Sequence, residues 1–385
     1  MSILLDKSIG KNFCYAPWTN IHINPQGVYK SCCAGHTEIG DLRVIPIQSV
    51  VSSPELKEIK QAILSNQEHK NCTTCIRQEQ NTSSSERSWY NDIAENLPIN
   101  INSIDDQHLQ NLDIRWSTTC NLSCVYCDYY ASSQWAAHKG MPLPRLDYTD
   151  TMAGLLEFID ANKKTLKNLA LLGGEPLLQK ENDQLLNVID PDVYINVITN
   201  LSVPLENNRI FKKLLEKNRV MWDISFETVE DRFEYVRHGA KWNTMLKNIR
   251  YLQDAVKDKP GHLIGITSQY SVYNALNLIE LHEYFEDNNI PRMRWNELNN
   301  PYLLSVISLP QRFIDRAIKE LEGSIKFHDW EPQKRFLADM AAALRLVEPT
   351  VNSCDELYNW HAEQEQAYWP DFPLKFATLW PEYKE

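Results

Sequence analysis

Between residues 110 and 297, short apolar runs alternate with helix-patterned stretches, and this constrains the fold more than any other feature. The strand candidates are LDIRW (112–116), NLALLGG (168–174), VYINVIT (193–199), VMWDISF (220–226), LIGITSQ (263–269) and RMRWNE (292–297). Between them lie TMAGLLEFIDANKK, NNRIFKKLLEKN, TMLKNIRYLQDAV and ALNLIELHEYFEDN. Strands separated by helices of this length are joined by crossovers and pair in parallel. Such strands build either an incomplete β/α barrel or an open doubly wound sheet, and the pattern does not separate the two. Past residue 301, QRFIDRAIKELEG and QKRFLADMAAALRLV carry apolar residues at i, i+3 and i+4, which predicts helices. The end of the chain is rich in aromatic residues.

A chain of 385 residues has room for two or three domains. MSILLDKSIGKNF lacks the apolar core and cleavage site of a signal peptide, and no run of about 18 apolar residues predicts a membrane span. The net charge of −12 weighs against nucleic-acid binding. The nine cysteines are therefore read in a reducing, cytoplasmic context, where clustered thiols bind metal or do redox chemistry. One group spans 14–75, a second spans 120–127, and Cys354 stands alone. The polar stretch 80–106 between the groups reads as a linker.

Cys120, Cys124 and Cys127 stand at C-x3-C-x2-C spacing, just after the first strand. Zinc structural sites take four ligands, commonly as paired C-x2-C halves, and no matching partner follows. Iron–sulfur clusters are normally held by four thiolates, so three leave one iron open. An open metal position marks a catalytic site. The carboxyl edge of parallel strands is also where β/α proteins bind ligands.

This triad, with Tyr126 before its last cysteine, resembles that of the radical S-adenosylmethionine (radical SAM) superfamily. The resemblance implies a partial (β/α)6 barrel in which three cysteines hold a 4Fe–4S cluster. The cofactor S-adenosyl-L-methionine occupies the fourth iron and is cleaved to a 5′-deoxyadenosyl radical that takes a substrate hydrogen. LLGGEPLL (171–178) is similar to the family's GGEP motif. It implies cofactor contacts at Gly173, Gly174, Glu175 and Pro176, with Glu175 placed to accept from the cofactor ammonium. Asn200 in VITNLS and Ser225 and Glu227 in DISFET end the third and fourth strands. EYVRHGAKWNTMLKNI (234–249) resembles the segment that commonly follows, with Arg237 as a candidate for the cofactor carboxylate. Gln269 and Asn274 are weaker candidates on the adenine or substrate side.

In the first cysteine group, Cys14 and Cys32 flank an alternating stretch with PQG (25–27) at its centre, which predicts a β-hairpin. Such a hairpin brings the two cysteines together, and Cys72 and Cys75 add a C-x2-C pair. Four thiolates so arranged suit zinc or a 4Fe–4S cluster. Gly27 lies G-x4-C from Cys32, and the whole resembles the auxiliary-cluster modules called SPASM and twitch. Asn81 stands where the longer form has its next cysteine, so the shorter twitch form is the better match. In the family the module usually follows the core, whereas here it precedes it.

The reading that results is an α/β chain. It has an auxiliary-cluster module over 1–95, a linker over 96–109, a radical SAM core over 110–300 and a helical, aromatic-rich extension over 301–385. The implied cofactors are S-adenosyl-L-methionine and two 4Fe–4S clusters. The implied partners are a small-molecule or peptide substrate and an electron donor such as flavodoxin or ferredoxin. The expected chemistry is oxidation or bond formation. An epimerase or isomerase with Cys354 as hydrogen donor, acting on a nucleotide or base, is an alternative. A non-catalytic zinc-binding scaffold is the alternative from another class. Cys33 is left as a spare thiol, either an alternate ligand or a buried small residue.

Overall fold

The computed structural model describes residues 10–81, 85–95, 101, 103–143, 149–291, 293–349 and 351–384. They fall into two compact units. The first comprises Met1–Thr119, Leu143–Ile198 and Asn207–Met221; the second comprises Cys120–Pro142, Thr199–Glu206 and Trp222–Glu385.

In the first unit, β1 (Asn20–Ile23) and β2 (Val28–Lys30) form the expected antiparallel hairpin. Asn24 makes the turn by accepting the backbone N–H groups of Gln26 and Val28 on its Oδ1, at 3.0 and 2.9 Å. Gly27 then takes φ +80°, a conformation that glycine adopts without strain. β3 (Gly40–Asp41) pairs with β2. The hairpin is not isolated. β1 runs parallel to β4 (Asn111–Ile114), with Ile21 opposite Leu112. β4, β5 (Asn168–Leu171) and β6 (Tyr194–Thr199) continue in parallel. One face of these strands carries Ile21, Ile23, Leu112, Ile114, Leu169, Leu171, Ile195 and Val197, all buried. Side chains alternate across a strand, so His22, Asp113 and Asn196 share the opposite face. His22 Nδ1 lies 3.0 Å from the buried Asp113 carboxylate. Burial alone would raise Asp113, but Arg115 and His22 hold it down at about 2.

The stretch 80–106 is not a plain linker. Residues 82–84, 96–100 and 102 lie outside the described residues, but Glu86–Glu95 is a helix. Ser85 starts it by accepting from the Ser88 N–H at 3.1 Å, and Tyr90 and Ala94 are buried at i, i+4 spacing. Polarity hid that short apolar repeat.

The second unit contains the later part of β7 (Val220–Ser225), then β8 (His262–Tyr270) and β9 (Met293–Glu297), the last two parallel. Among the described residues β3 and β9 are edge strands. This is the α/β class expected, with parallel strands, intervening helices and a helical C-terminal region. Helices Gln311–Ser324, Glu331–Leu344 and Asp355–Tyr368 make up that region. Its aromatic residues form a buried group: Phe376 stacks on His361 at 3.7 Å and on Trp380 at 5.1 Å. Trp380 and Tyr383 donate to the carbonyls of Tyr273 and Val272. No helix among the described residues is long and apolar enough to cross a membrane.

His361 gives this region a pH dependence. It is 1% exposed, with Nδ1 2.7 Å from the Leu357 carbonyl and Nε2 2.8 Å from the Tyr273 hydroxyl. Burial depresses it to about 3, from 6.5. Burial also lowers His238 to about 4 and His282 to about 3. The unfolded chain takes up these protons first, so stability is lost as pH falls below 6.5 and stops changing near 3. The melting temperature should therefore fall steadily from pH 6.5 to 4, and a His361→Gln variant should show a shallower slope. An unchanged slope would remove His361 from this role.

Candidate functional site

The triad loop lies in the second unit. Its form is fixed by the helix Ser133–His138, whose N-cap Ser132 accepts from the Gln134 and Trp135 N–H groups. Ser132 Oγ donates to Leu122 O at 2.6 Å, and Ser133 Oγ both accepts from Cys120 N and donates to Cys120 O. Trp135 Nε1 donates to Cys124 O at 2.8 Å. On its other side, Ser123 N and Val125 N donate to the carbonyls of His238 and Val236. Trp369 braces both flanks, stacking on His238 at 4.5 Å and meeting Trp135 at 5.4 Å. The three thiols of Cys120, Cys124 and Cys127 are within electrostatic reach of one another. Burial pushes Cys124 well above the usual thiol range and Cys127 up to about 11, with the neighbouring cysteines adding to both.

Two polar groups face these sulfurs. Asn200 Nδ2 donates to Cys120 Sγ at 3.7 Å, and Arg237 Nη1 donates to Cys124 Sγ at 3.9 Å. Arg237 is not free to turn. Its Nε and Nη2 donate to both Glu227 oxygens at 3.0 and 2.8 Å, and Nη2 also donates to the Tyr126 hydroxyl at 2.6 Å. The Tyr126 hydroxyl donates in turn to Glu227 Oε1 at 2.9 Å. Glu227 is 1% exposed and Arg237 6% exposed. The arginine read as a carboxylate partner is thus held by Glu227 and Tyr126 against the triad.

Ser225 and Gln269 are half-buried at the carboxyl ends of β7 and β8. Asn274 is fully buried and clasps the two strand ends, donating to Glu227 O at 3.1 Å and Gln269 O at 2.9 Å.

The GGEP turn belongs to the first unit. Gly174 N donates to Ser117 O and Glu175 N donates to Thr119 O at 2.8 Å, so the turn lies along the segment that leads to Cys120. A Cβ on Gly174 would come within 2.3 Å of Thr119 O. The close approach that Gly174 permits is therefore to this chain's own backbone. Glu175 is fully buried, and its Oε1 accepts from Leu177 N at 3.0 Å, capping the short helix Pro176–Leu178.

Also in the first unit, Cys14, Cys32, Cys72 and Cys75 are all mutually within electrostatic reach. Asn91 clamps the backbone around Cys14, donating to Phe13 O and accepting from Tyr15 N, each at 3.0 Å. Asn71 ties the other cysteines together. Its Nδ2 donates to Ser31 Oγ at 3.2 Å, and its Oδ1 accepts from Thr37 N at 3.0 Å. Neither asparagine carries a signal in sequence, because each acts through a contact made only on folding. Cys33 faces elsewhere, towards Glu86, Asp113 and Arg115. Cys354 is buried at the start of Asp355–Tyr368, near Arg312, Tyr358 and Tyr383, and burial raises it to about 11.

These donor sets fit iron–sulfur clusters. Among the described residues, no three His, Cys, Asp or Glu side chains converge closely enough to share one ion. A four-iron cluster takes each thiolate on a separate iron and asks only for proximity. All nine cysteines are free of disulfides.

Comparison with known proteins agrees with this chemistry. Residues 114–286 match the radical SAM superfamily, and residues 14–76 match the iron–sulfur cluster-binding SPASM domain. The 7-carboxy-7-deazaguanine synthase of Clostridium acetobutylicum is 40% identical over 144 residues, which is 36% of this chain and 58% of that protein. The chain thus spans little more than half of that relative's length. A structure of anSMEcpe with bound AdoMet and Cp18Cys peptide aligns with a TM-score of 0.41 at 16% identity, over 57% of this chain and 59% of that one. Streptococcus suis SuiB bound to S-adenosylmethionine aligns with a TM-score of 0.38 at 17% identity, over 66% and 54%. S-adenosyl-L-methionine and a 4Fe–4S cluster are the cofactors of the first domain, and the second binds further iron–sulfur. The chain thus carries a radical SAM domain over residues 114–286, with a SPASM-type iron–sulfur domain over residues 14–76 ahead of it.

Proposed function

We propose that this enzyme cleaves S-adenosyl-L-methionine reductively and oxidises, or forms a bond in, a small molecule or peptide. The observation that supports it most is the triad of thiols in one braced loop, with donors from Asn200 and Arg237 on two of the sulfurs. When bound, the cluster and its cofactor supply hydrogen abstraction by a 5′-deoxyadenosyl radical. Cys120, Cys124 and Cys127 hold three irons and leave one position to the cofactor. Asn200 and Arg237 stabilise negative charge on the thiolates, and N–H donors to cluster sulfur are one way a protein sets the potential. Glu227 and Tyr126 keep Arg237 in place. Ser225 and Gln269 meet the cofactor at the strand ends. Cys14, Cys32, Cys72 and Cys75 hold a second cluster that relays electrons or binds substrate. A flavodoxin or ferredoxin supplies the reducing electron.

Anaerobically reconstituted protein should be brown and hold about eight iron atoms per chain. Once reduced, it should release 5′-deoxyadenosine from S-adenosyl-L-methionine. Cys124→Ala should reduce that release to background. Release that persists in the variant rejects the triad assignment.

A further inference from the structure

The strands of the second unit have two unlike faces. Trp222, Ile224, Ile266, Met293 and Trp295 are buried on one. The other is polar. It carries Asp223 and Ser225, Thr267 and Gln269, and Arg294 and Asn296, with Thr267 opposite Arg294 and Gln269 opposite Asn296. Leu263 is exposed at the amino end of this face, and past Asp223 and Thr267 exposure rises again towards the carboxyl ends. Asp223 and Thr267 are buried, Ser225 and Gln269 are half-buried, and Asn296 is exposed. A polar face opening towards the carboxyl ends of parallel strands is the usual place for a ligand in α/β proteins.

At the floor of this face is an anchored guanidinium. Asp223 is fully buried, and its Oδ1 accepts from Thr267 Oγ1 at 3.0 Å. Its Oδ2 accepts from Arg294 Nη2. The Arg294 side chain is nevertheless 41% exposed, and among the described residues it has no other hydrogen-bond acceptor. One nitrogen of the fork is fixed while the side chain as a whole stays accessible. A planar fork fixed in this way is suited to a carboxylate. The pair is neutral overall, and Asp223 repels a second negative charge, so a monoanion is preferred to a phosphate dianion.

We propose that Arg294, oriented by Asp223, receives a carboxylate group of the substrate. Arg294 is then a specificity residue. The inference rests on the reading that this unit houses the reaction, but its test does not depend on turnover. Benzoate is titrated calorimetrically into reconstituted, cofactor-loaded enzyme, with phenyl phosphate as the second probe. Wild type should bind benzoate, and more tightly than phenyl phosphate. Arg294→Gln should bind benzoate about 10- to 100-fold more weakly. Because that variant leaves Asp223 buried without a cation, the double variant Asp223→Asn/Arg294→Gln is measured beside it and should show the same loss. The proposal is overturned if wild type does not bind benzoate, if phenyl phosphate binds more tightly, or if the double variant binds benzoate like wild type. Release of 5′-deoxyadenosine is assayed on the same preparations. Its absence in wild type would count against the radical reading, and not against the anion site.

Discussion

Glu227→Ala is expected to destabilise the second unit by about 3–5 kcal/mol, the usual cost of removing one partner from a buried ion pair. The Arg237 side chain is 7% exposed and that of Glu227 is fully buried. Without the carboxylate, Arg237 keeps its charge but loses the acceptors for Nε and Nη2, and the Tyr126 hydroxyl loses its own acceptor. The Arg237 contact to Cys124 Sγ depends on the same geometry, so the iron centre should change with the fold. Glu227→Gln keeps the shape, removes the charge and should lie between wild type and the alanine variant. Denaturant melts of anaerobic holoprotein, read alongside the visible spectrum, check both effects. A Glu227→Ala protein within about 1 kcal/mol of wild type would show that the cluster holds together without the carboxylate.

The second large effect separates two adjacent cysteines. Cys32→Ala should lower iron from about eight to about four atoms per chain, and Cys33→Ala should leave it near eight. Cys32 is within electrostatic reach of Cys14, Cys72 and Cys75, whereas Cys33 is within reach of Glu86, Asp113, Arg115 and the adjacent Cys32. The readout is iron per chain, with 5′-deoxyadenosine release as a control that the triad cluster remains. If Cys33→Ala loses the four iron atoms instead, the ligand assignment is reversed.

Most of the strands were legible because period-2 alternation is local. Each run from LDIRW to RMRWNE overlaps an observed strand, although Arg292 lies outside the described residues. The hairpin was legible in PQG for the same reason, since a turn is written in its own residues. Partnership between distant segments was not. Nothing in NIHI announces that it lies parallel to NLDI, and nothing in SERSWYNDIAE announces that Asn91 will clamp the backbone around Cys14. The site shows the same division. The cysteine spacings stood out because one short loop must supply several thiolates. The Arg237–Glu227–Tyr126 arrangement joins three segments of the second unit, and only folding brings them together. Arg294 had no motif at all, and it becomes visible only when strand register places it across from Thr267.

The bracing of the triad loop by Trp369 also has a meaning in time. Trp369 is synthesised about 240 residues after Cys127, roughly 12–50 s later at ordinary translation rates. Until then His238 and Trp135 lack their shared aromatic neighbour, and the loop is held by hydrogen bonds such as those of Trp135 and of the Val236–His238 segment. A nascent chain therefore passes through a period in which the thiols are present and the brace is not. Iron delivered in that period meets the thiols before Trp369 has packed beside them.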